Sequence, residues 1–176
     1  MEYSKLSIEE LIEHCLKSNP NAQKSLYDRY SNAMYSTTVR ILGNNQDAQE
    51  ALQDSFVNAF TSLKRFDNRV TFGAWLRKIT INVCLNKLRA RKFELLHLDF
   101  DIPEENLEEK LTIEPALLNA AIEKLPSGCK AIFTLKAFEG FKHEEISKEL
   151  NISESTSKSQ FVRAKKLLRL SLKKVN

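Results

Sequence analysis

Apolar residues return every three or four positions along most of this chain, and that spacing predicts helices. Ile8, Leu11, Ile12, Cys15 and Leu16 form the first set, and Ser7 followed by Glu10 is a capping box that starts it. Asn19-Pro20 reads as a second start, with Asn19 as N-cap and Pro20 in the first turn, where its missing N–H costs little. This helix runs through Leu26, Tyr30, Met34 and Leu42 and stops at Gly43, a residue suited to follow a helix end. Asn45 reads as the cap of a third helix carrying Ala48, Leu52, Phe56, Ala59, Phe60 and Leu63. Asp67-Asn68-Arg69 break the pattern, and Thr71 caps a fourth helix. That helix has Phe72, Trp75, Leu76, Ile79 and Val83 on one face and Ile81, Leu85 and Leu88 on another, which makes it central in its bundle.

From Phe93 to Pro115 the period is lost. Glu94, Asp99, Asp101, Glu104, Glu105, Glu108, Glu109 and Glu114 stand there against Lys110 alone. The stretch reads as an acidic linker, with a solvated surface loop as the alternative. Helices resume with Ala116, Leu117, Ala120, Ala121 and Leu125, ended by Pro126. Ser127 reads as the cap of the next, through Ile132, Phe133 and Leu135 to Gly140, and two more follow at roughly 143–150 and 153–172. With no convincing strand and no internal repeat, the expected fold is all-α. Two small helical domains, 1–92 and 116–176, are joined by the acidic linker 93–115.

Composition narrows the function. Four glycines and four prolines disfavour an all-β chain, and a net charge of +4 is only a mild hint of a polyanionic partner. The amino terminus lacks the basic and apolar regions of a secretory signal, and no apolar run approaches the roughly 20 residues that span a bilayer. A cytoplasmic location without stable membrane insertion is expected. Cys15, Cys84 and Cys129 occupy helical apolar positions and read as reduced core residues. His14, His97 and His143 show no ligand spacing, so no metal and no cofactor are expected. No glycine-rich phosphate loop and no nucleophile elbow occurs, and Glu144-Glu145 reads as helix surface or cap, so enzyme activity is not expected.

The segment His143–Lys166 has the layout of a helix-turn-helix. Ile146 and Leu150 face inward on the first helix, Asn151 suits a left-handed helix end, Ile152 plugs the turn and Ser153 caps the second helix. Ser157, Phe161, Ala164 and Leu168 share the inward face of that second helix, with Ser157 an uncommonly polar member. Ser155, Lys158, Ser159, Val162, Arg163 and Lys166 lie outward, where such a helix enters the major groove. Beyond Glu154 there is no acidic residue, whereas Lys165, Lys166, Arg169, Lys173 and Lys174 are basic. An isolated basic helix is more often a solvated face. The turn signature and the one-signed carboxyl end favour DNA.

The run Asp47-Ala48-Gln49-Glu50-Ala51-Leu52-Gln53-Asp54-Ser55-Phe56, with Phe72-Gly73-Ala74-Trp75-Leu76 and Ile79-Thr80-Ile81-Asn82, resembles region 2 of the extracytoplasmic-function (ECF) sigma factors. Leu125-Pro126, Phe138-Glu139-Gly140, Glu144-Glu145-Ile146 and Ser153-Glu154-Ser155-Thr156-Ser157-Lys158-Ser159 resemble region 4 of the same family. The resemblance covers nearly the whole chain, in order. It implies a sigma factor directing promoter-specific transcription initiation. Region 4 would read the −35 element; region 2 would melt and read the −10 element.

The implied partners are core RNA polymerase, through its largest and second-largest subunits, and promoter DNA, with an anti-sigma factor as a further expected partner. Asp47, Glu50, Gln53 and Asp54 would dock on the polymerase, a solvated face being their plainer reading. Asp67, Asn68 and Arg69 would hydrogen-bond a flipped −10 base, and Lys78, Asn82 and Arg89 would hold the opened strand's phosphates. Trp75 reads as core before it reads as a stacking platform. The acidic linker would thread the polymerase channels.

Four positions depart from the family pattern. Ser155 stands where glycine is usual, Ser157 where valine is usual, Gln160 where an arginine phosphate contact is common, and Cys129 where a larger residue is often found. A conventional helix-turn-helix regulator, binding duplex DNA without polymerase, is the competing reading.

Overall fold

The structure, a computed structural model, describes residues 2–90 and 114–173. Apart from Glu114 and Pro115, the expected linker lies outside the described residues, as do His97 and Lys174. Among the described residues the elements are α1 (Ile8–Leu16), α2 (Pro20–Leu42), α3 (Asn45–Ser62), α4 (Phe72–Ala90), α5 (Pro115–Glu123), α6 (Ser127–Ala137), α7 (His143–Leu150) and α8 (Glu154–Lys173), with no strand. Two 3-10 turns, Tyr3–Lys5 and Leu63–Arg65, are too short to show in the apolar spacing.

Most helix ends follow the chemistry of their caps. The Glu10 N–H donates to Ser7 Oγ at 3.2 Å and the Ser7 N–H to Glu10 Oε2 at 2.8 Å, completing the capping box. Asn19 Oδ1 accepts from the amides of Asn21 and Ala22, and Thr71 Oγ1 from that of Ala74. Two starts differ from expectation. The cap of α3 is Asn44, whose Oδ1 accepts from Gln46 and Asp47 at 2.8 and 3.4 Å, and Asn45 is already helical. Gly43, at φ +68°, turns the chain out of α2, so the extended residue that precedes the next helix is Asn44. At α6 the extended residue is Pro126, and Ser127 opens the helix without capping it.

By contact the described chain falls into two units. The first comprises residues up to Val39 together with Asn44–Lys87, and the second comprises Arg40–Gly43 together with the residues from Leu88. In the first, Leu11, Leu26, Phe56, Ala59, Phe72 and Leu76 are central to the core. Trp75 is half-buried and packs on Phe66 and Phe72 at centroid distances of 5.2 and 5.7 Å, so it is part of that packing. Gly73 lets Tyr30 approach: a Cβ there would stand 3.0 Å from Tyr30 Cε1.

In the second unit Ala121, Ile122, Leu125, Cys129, Ala164 and Leu168 form one cluster, and Ile132, Leu135, Ile146 and Leu150 are also buried. The α5 helix packs on α8 by one side, leaving Ala116, Leu117 and Ala120 exposed. All three cysteines are buried and none of them is in a disulfide. Burial pushes the Cys15 thiol up to about 11. No described helix is long and apolar enough to cross a membrane.

Candidate functional site

The helix-turn-helix forms as its sequence dictates. Ile146 and Leu150 are buried, and α7 ends at Asn151, whose φ of 54° and ψ of 50° are left-handed. The N–H groups of Asn151 and Ile152 both return to the Ser147 carbonyl. Ser153 Oγ accepts from the Thr156 N–H at 3.0 Å and so caps α8.

Ser157, Ala164 and Leu168 of α8 are buried, and Phe161 is half-buried against Phe133. Gln160 belongs to the same inward stripe. Standing three residues after Ser157 and four before Ala164, it is buried, and its Oε1 accepts from Cys129 Sγ at 2.9 Å. Two departures from the family pattern, at 129 and 160, are therefore one hydrogen-bonded pair. Burial raises the Cys129 thiol pKa against the opposing pull of Arg163, which keeps the S–H donor in place.

The outward side carries the predicted duplex contacts. Ser155, Lys158 and Lys166 are exposed, and Ser159, Val162 and Arg163 are half-buried. Ser155 Oγ shares a hydrogen bond of 2.8 Å with Ser153 Oγ, and Ser159 Oγ donates to the Thr156 carbonyl. Lys158 pairs with Glu154 at 2.9 Å. A surface pair of this kind contributes about 1 kcal/mol or less and is readily exchanged for a phosphate.

On α3, Glu50, Gln53 and Asp54 are exposed and Asp47 is half-buried. The carboxylates of Glu50 and Asp54 do not face water alone. Lys87 reaches over from α4, its Nζ 3.1 Å from Glu50 Oε2 and 3.6 Å from Asp54 Oδ2. The Glu50 hydrogen bond is the main reason that the Lys87 pKa is raised. No pattern in the sequence signals this brace, because partners thirty-seven positions apart share no helical period.

The loop 67–71 is exposed at its polar tip and anchored at its base. Asp67 Oδ1 accepts from the Arg69 N–H at 3.2 Å, and its other oxygen pairs with Arg69 Nε at 3.0 Å. Asn68 takes the left-handed φ of 60° that an Asx turn tolerates. Phe66 fixes the base edge-on against Phe72. Beyond the loop, Lys78 and Asn82 are exposed on α4. Arg89 near the end of that helix is also exposed, but it belongs to the second unit and pairs with Glu149 at 3.2 Å. The six residues assigned to −10 DNA thus form a self-braced loop, two exposed polar groups and one cation with a carboxylate partner. Among the described residues no group of three or more histidine, cysteine or acidic side chains could hold a metal ion.

Comparison with known proteins agrees with this layout. The family description "Sigma-70 region 2" matches residues 26–94, and "Sigma-70, region 4" matches residues 116–168. The ECF RNA polymerase sigma factor SigW of Bacillus subtilis is 26% identical, over 96% of this chain and 98% of its own length. SigE of Mycolicibacterium smegmatis, of the same description, is 31% identical over 82% of this chain, which spans 59% of that protein. Among solved structures, the sigma factor RpoE bound to the anti-sigma factor NepR from Bartonella quintana is similar at a TM-score of 0.48 and 20% identity, covering 85% of this chain and 96% of that one.

Proposed function

Because the chain belongs to the sigma-70 family, in its extracytoplasmic-function branch, we propose that it binds core RNA polymerase and directs promoter-specific initiation without bond chemistry of its own. The observation that carries this reading is the pairing of a well-formed helix-turn-helix with an exposed acidic strip and an exposed polar loop on one chain. In this reading residues 1–92 hold the polymerase and the −10 element, 116–176 hold the −35 element, and 93–115 connect them.

The outward side of α8 enters the −35 major groove. Lys158 and Arg163 reach base edges or phosphates, Ser155 and Ser159 permit close approach, Val162 makes apolar contact and Lys166 adds a phosphate contact. Asp47, Glu50, Gln53 and Asp54 dock on a basic surface of the polymerase. At the other end of the promoter, Asp67, Asn68 and Arg69 offer hydrogen bonds to the edge of an extruded base, while Lys78, Asn82 and Arg89 hold the opened strand. Unpairing is driven by those contacts together with the polymerase's own.

The test separates the two surfaces. Lys158→Ala with Arg163→Ala should abolish −35-dependent initiation and leave core binding unchanged. Asp54→Lys should weaken core association by roughly tenfold or more, since it places a cation in the strip and repels Lys87. Unchanged core affinity in Asp54→Lys would remove the strip from the docking surface.

A further inference from the structure

Ser157, like Gln160, is a member of the inward stripe of α8 that an apolar pattern does not explain. It is fully buried, and a hydroxyl in that position needs a partner. Ser157 Oγ lies 2.9 Å from Nδ1 of His143, the first residue of α7. The half-buried imidazole also stands against Phe161, one turn further along α8, with centroids 5.5 Å apart and planes at 67°. Phe161 in turn stacks on Phe133 of α6 at 5.7 Å, and Lys165 Nζ lies 5.1 Å from its centroid. His143 therefore meets α8 at two points. The ring contact tolerates sliding, whereas the hydrogen bond is directional.

We propose that His143 is a positioning residue for duplex reading: its hydrogen bond to Ser157 fixes the rotation of α8 about its own axis, and with it the aim of Lys158, Val162 and Arg163. The proposal rests on the reading of α8 as the helix that enters the groove. A helix carries its side-chain tips at a radius of roughly 5–6 Å, so a rotation of about 20° displaces them by about 2 Å, enough to break a hydrogen bond to a base edge. The electrostatics suit a neutral ring. Burial and the cations of Lys136 on α6 and Lys158 and Lys165 on α8 hold the imidazole below the ordinary histidine range, with Glu154 pulling the other way. A neutral imidazole can share one proton with the hydroxyl without burying a charge.

Side-chain geometry supplies the test. Asparagine at 143 places an amide atom where Nδ1 stands; glutamine places it where Nε2 stands, out of reach of Ser157. Holoenzymes are assembled from core polymerase and each variant. They are offered a duplex selected by the wild-type holoenzyme from a random-sequence pool, against the same duplex with its upstream half scrambled. We expect His143→Asn to keep the wild-type preference, and His143→Gln and Ser157→Ala to lose it by about fivefold to tenfold, with affinity for the scrambled duplex and the unfolding midpoint nearly unchanged. Equal preference in all three variants overturns the proposal. So does equal loss in the Asn and Gln variants, or a loss that follows overall affinity or stability. A wild-type holoenzyme indifferent to the scrambling removes the reading of α8 and this proposal with it.

Discussion

The two units bury polar side chains in opposite ways. In the first, Thr37, Ser55 and Thr80 each donate to the carbonyl four residues back in their own helix, at Ala33, Ala51 and Leu76, and Thr38 donates to Tyr35 three back. In the second, Lys130 donates to the Glu123 carbonyl of α5, Thr134 to the Arg40 carbonyl of α2, Ser157 meets His143 of α7, and Gln160 accepts from Cys129 of α6. The first set satisfies hydroxyls without saying how one helix lies on another, so packing in that unit is set by shape, above all by the aromatic group around Phe72 and Trp75. The second set ties each polar group to a different element. Under the proposed function, a module that presents a helix to base edges would gain from directional ties, and one that docked by an exposed strip and a loop would have less need of them.

That contrast can be broken at several strengths. The largest effect is expected from Leu76→Ala in the first unit, where a fully buried leucine is lost and about 3 kcal/mol goes with it. Urea unfolding followed by the fluorescence of Trp75, the sole tryptophan, reads it. A matched pair comes next. Thr134→Val and Thr80→Val remove equally buried hydroxyls at nearly constant shape. The first should cost about 1 kcal/mol because a carbonyl in the last turn of α2 loses its donor, and the second only a few tenths because the Leu76 carbonyl keeps its place in the helical ladder. Equal costs would dissolve the comparison.

The smallest effect is pH dependence of the second unit. The fold holds the pKa of His143 below its unfolded value, so the neutral ring's contribution is complete above the ordinary histidine range and lost as pH falls through the folded value. Far-UV helicity in urea, compared between about pH 7.5 and about 5.5, should show that loss in the wild type and its absence in His143→Asn. A loss of the same size in both would assign the titration to another group.

Local signals carried most of the fold. Caps at Ser7, Asn19, Thr71 and Ser153, left-handed ends at Gly43, Gly140 and Asn151, and unbroken 3.6-residue stripes each act within a few positions, so the sequence displays them directly. The starts at Asn44 and Pro126 lie one residue before those the spacing predicts, because adjacent asparagines, and a proline beside a serine, offer rival caps that only backbone dihedrals separate. At the site, the exposed residues of α8, α3 and the loop could be named, yet what holds them could not. Lys87 braces Glu50 from the next α-helix, Glu149 meets Arg89 across sixty positions, and Gln160 turns inward to Cys129. Such pairings depend on tertiary neighbours. An oddly polar member of an apolar stripe, as at Ser157, was the only sign of them the sequence offered.

The central claim is tested most directly by supplying the purified chain to core RNA polymerase with genomic DNA and mapping the 5′ ends of the transcripts. The account predicts a stable complex and initiation at discrete sites sharing paired upstream and downstream elements, none of which core enzyme uses alone. Failure to associate with core polymerase, or tight sequence-specific binding to a palindromic duplex by the chain unaided, would contradict it.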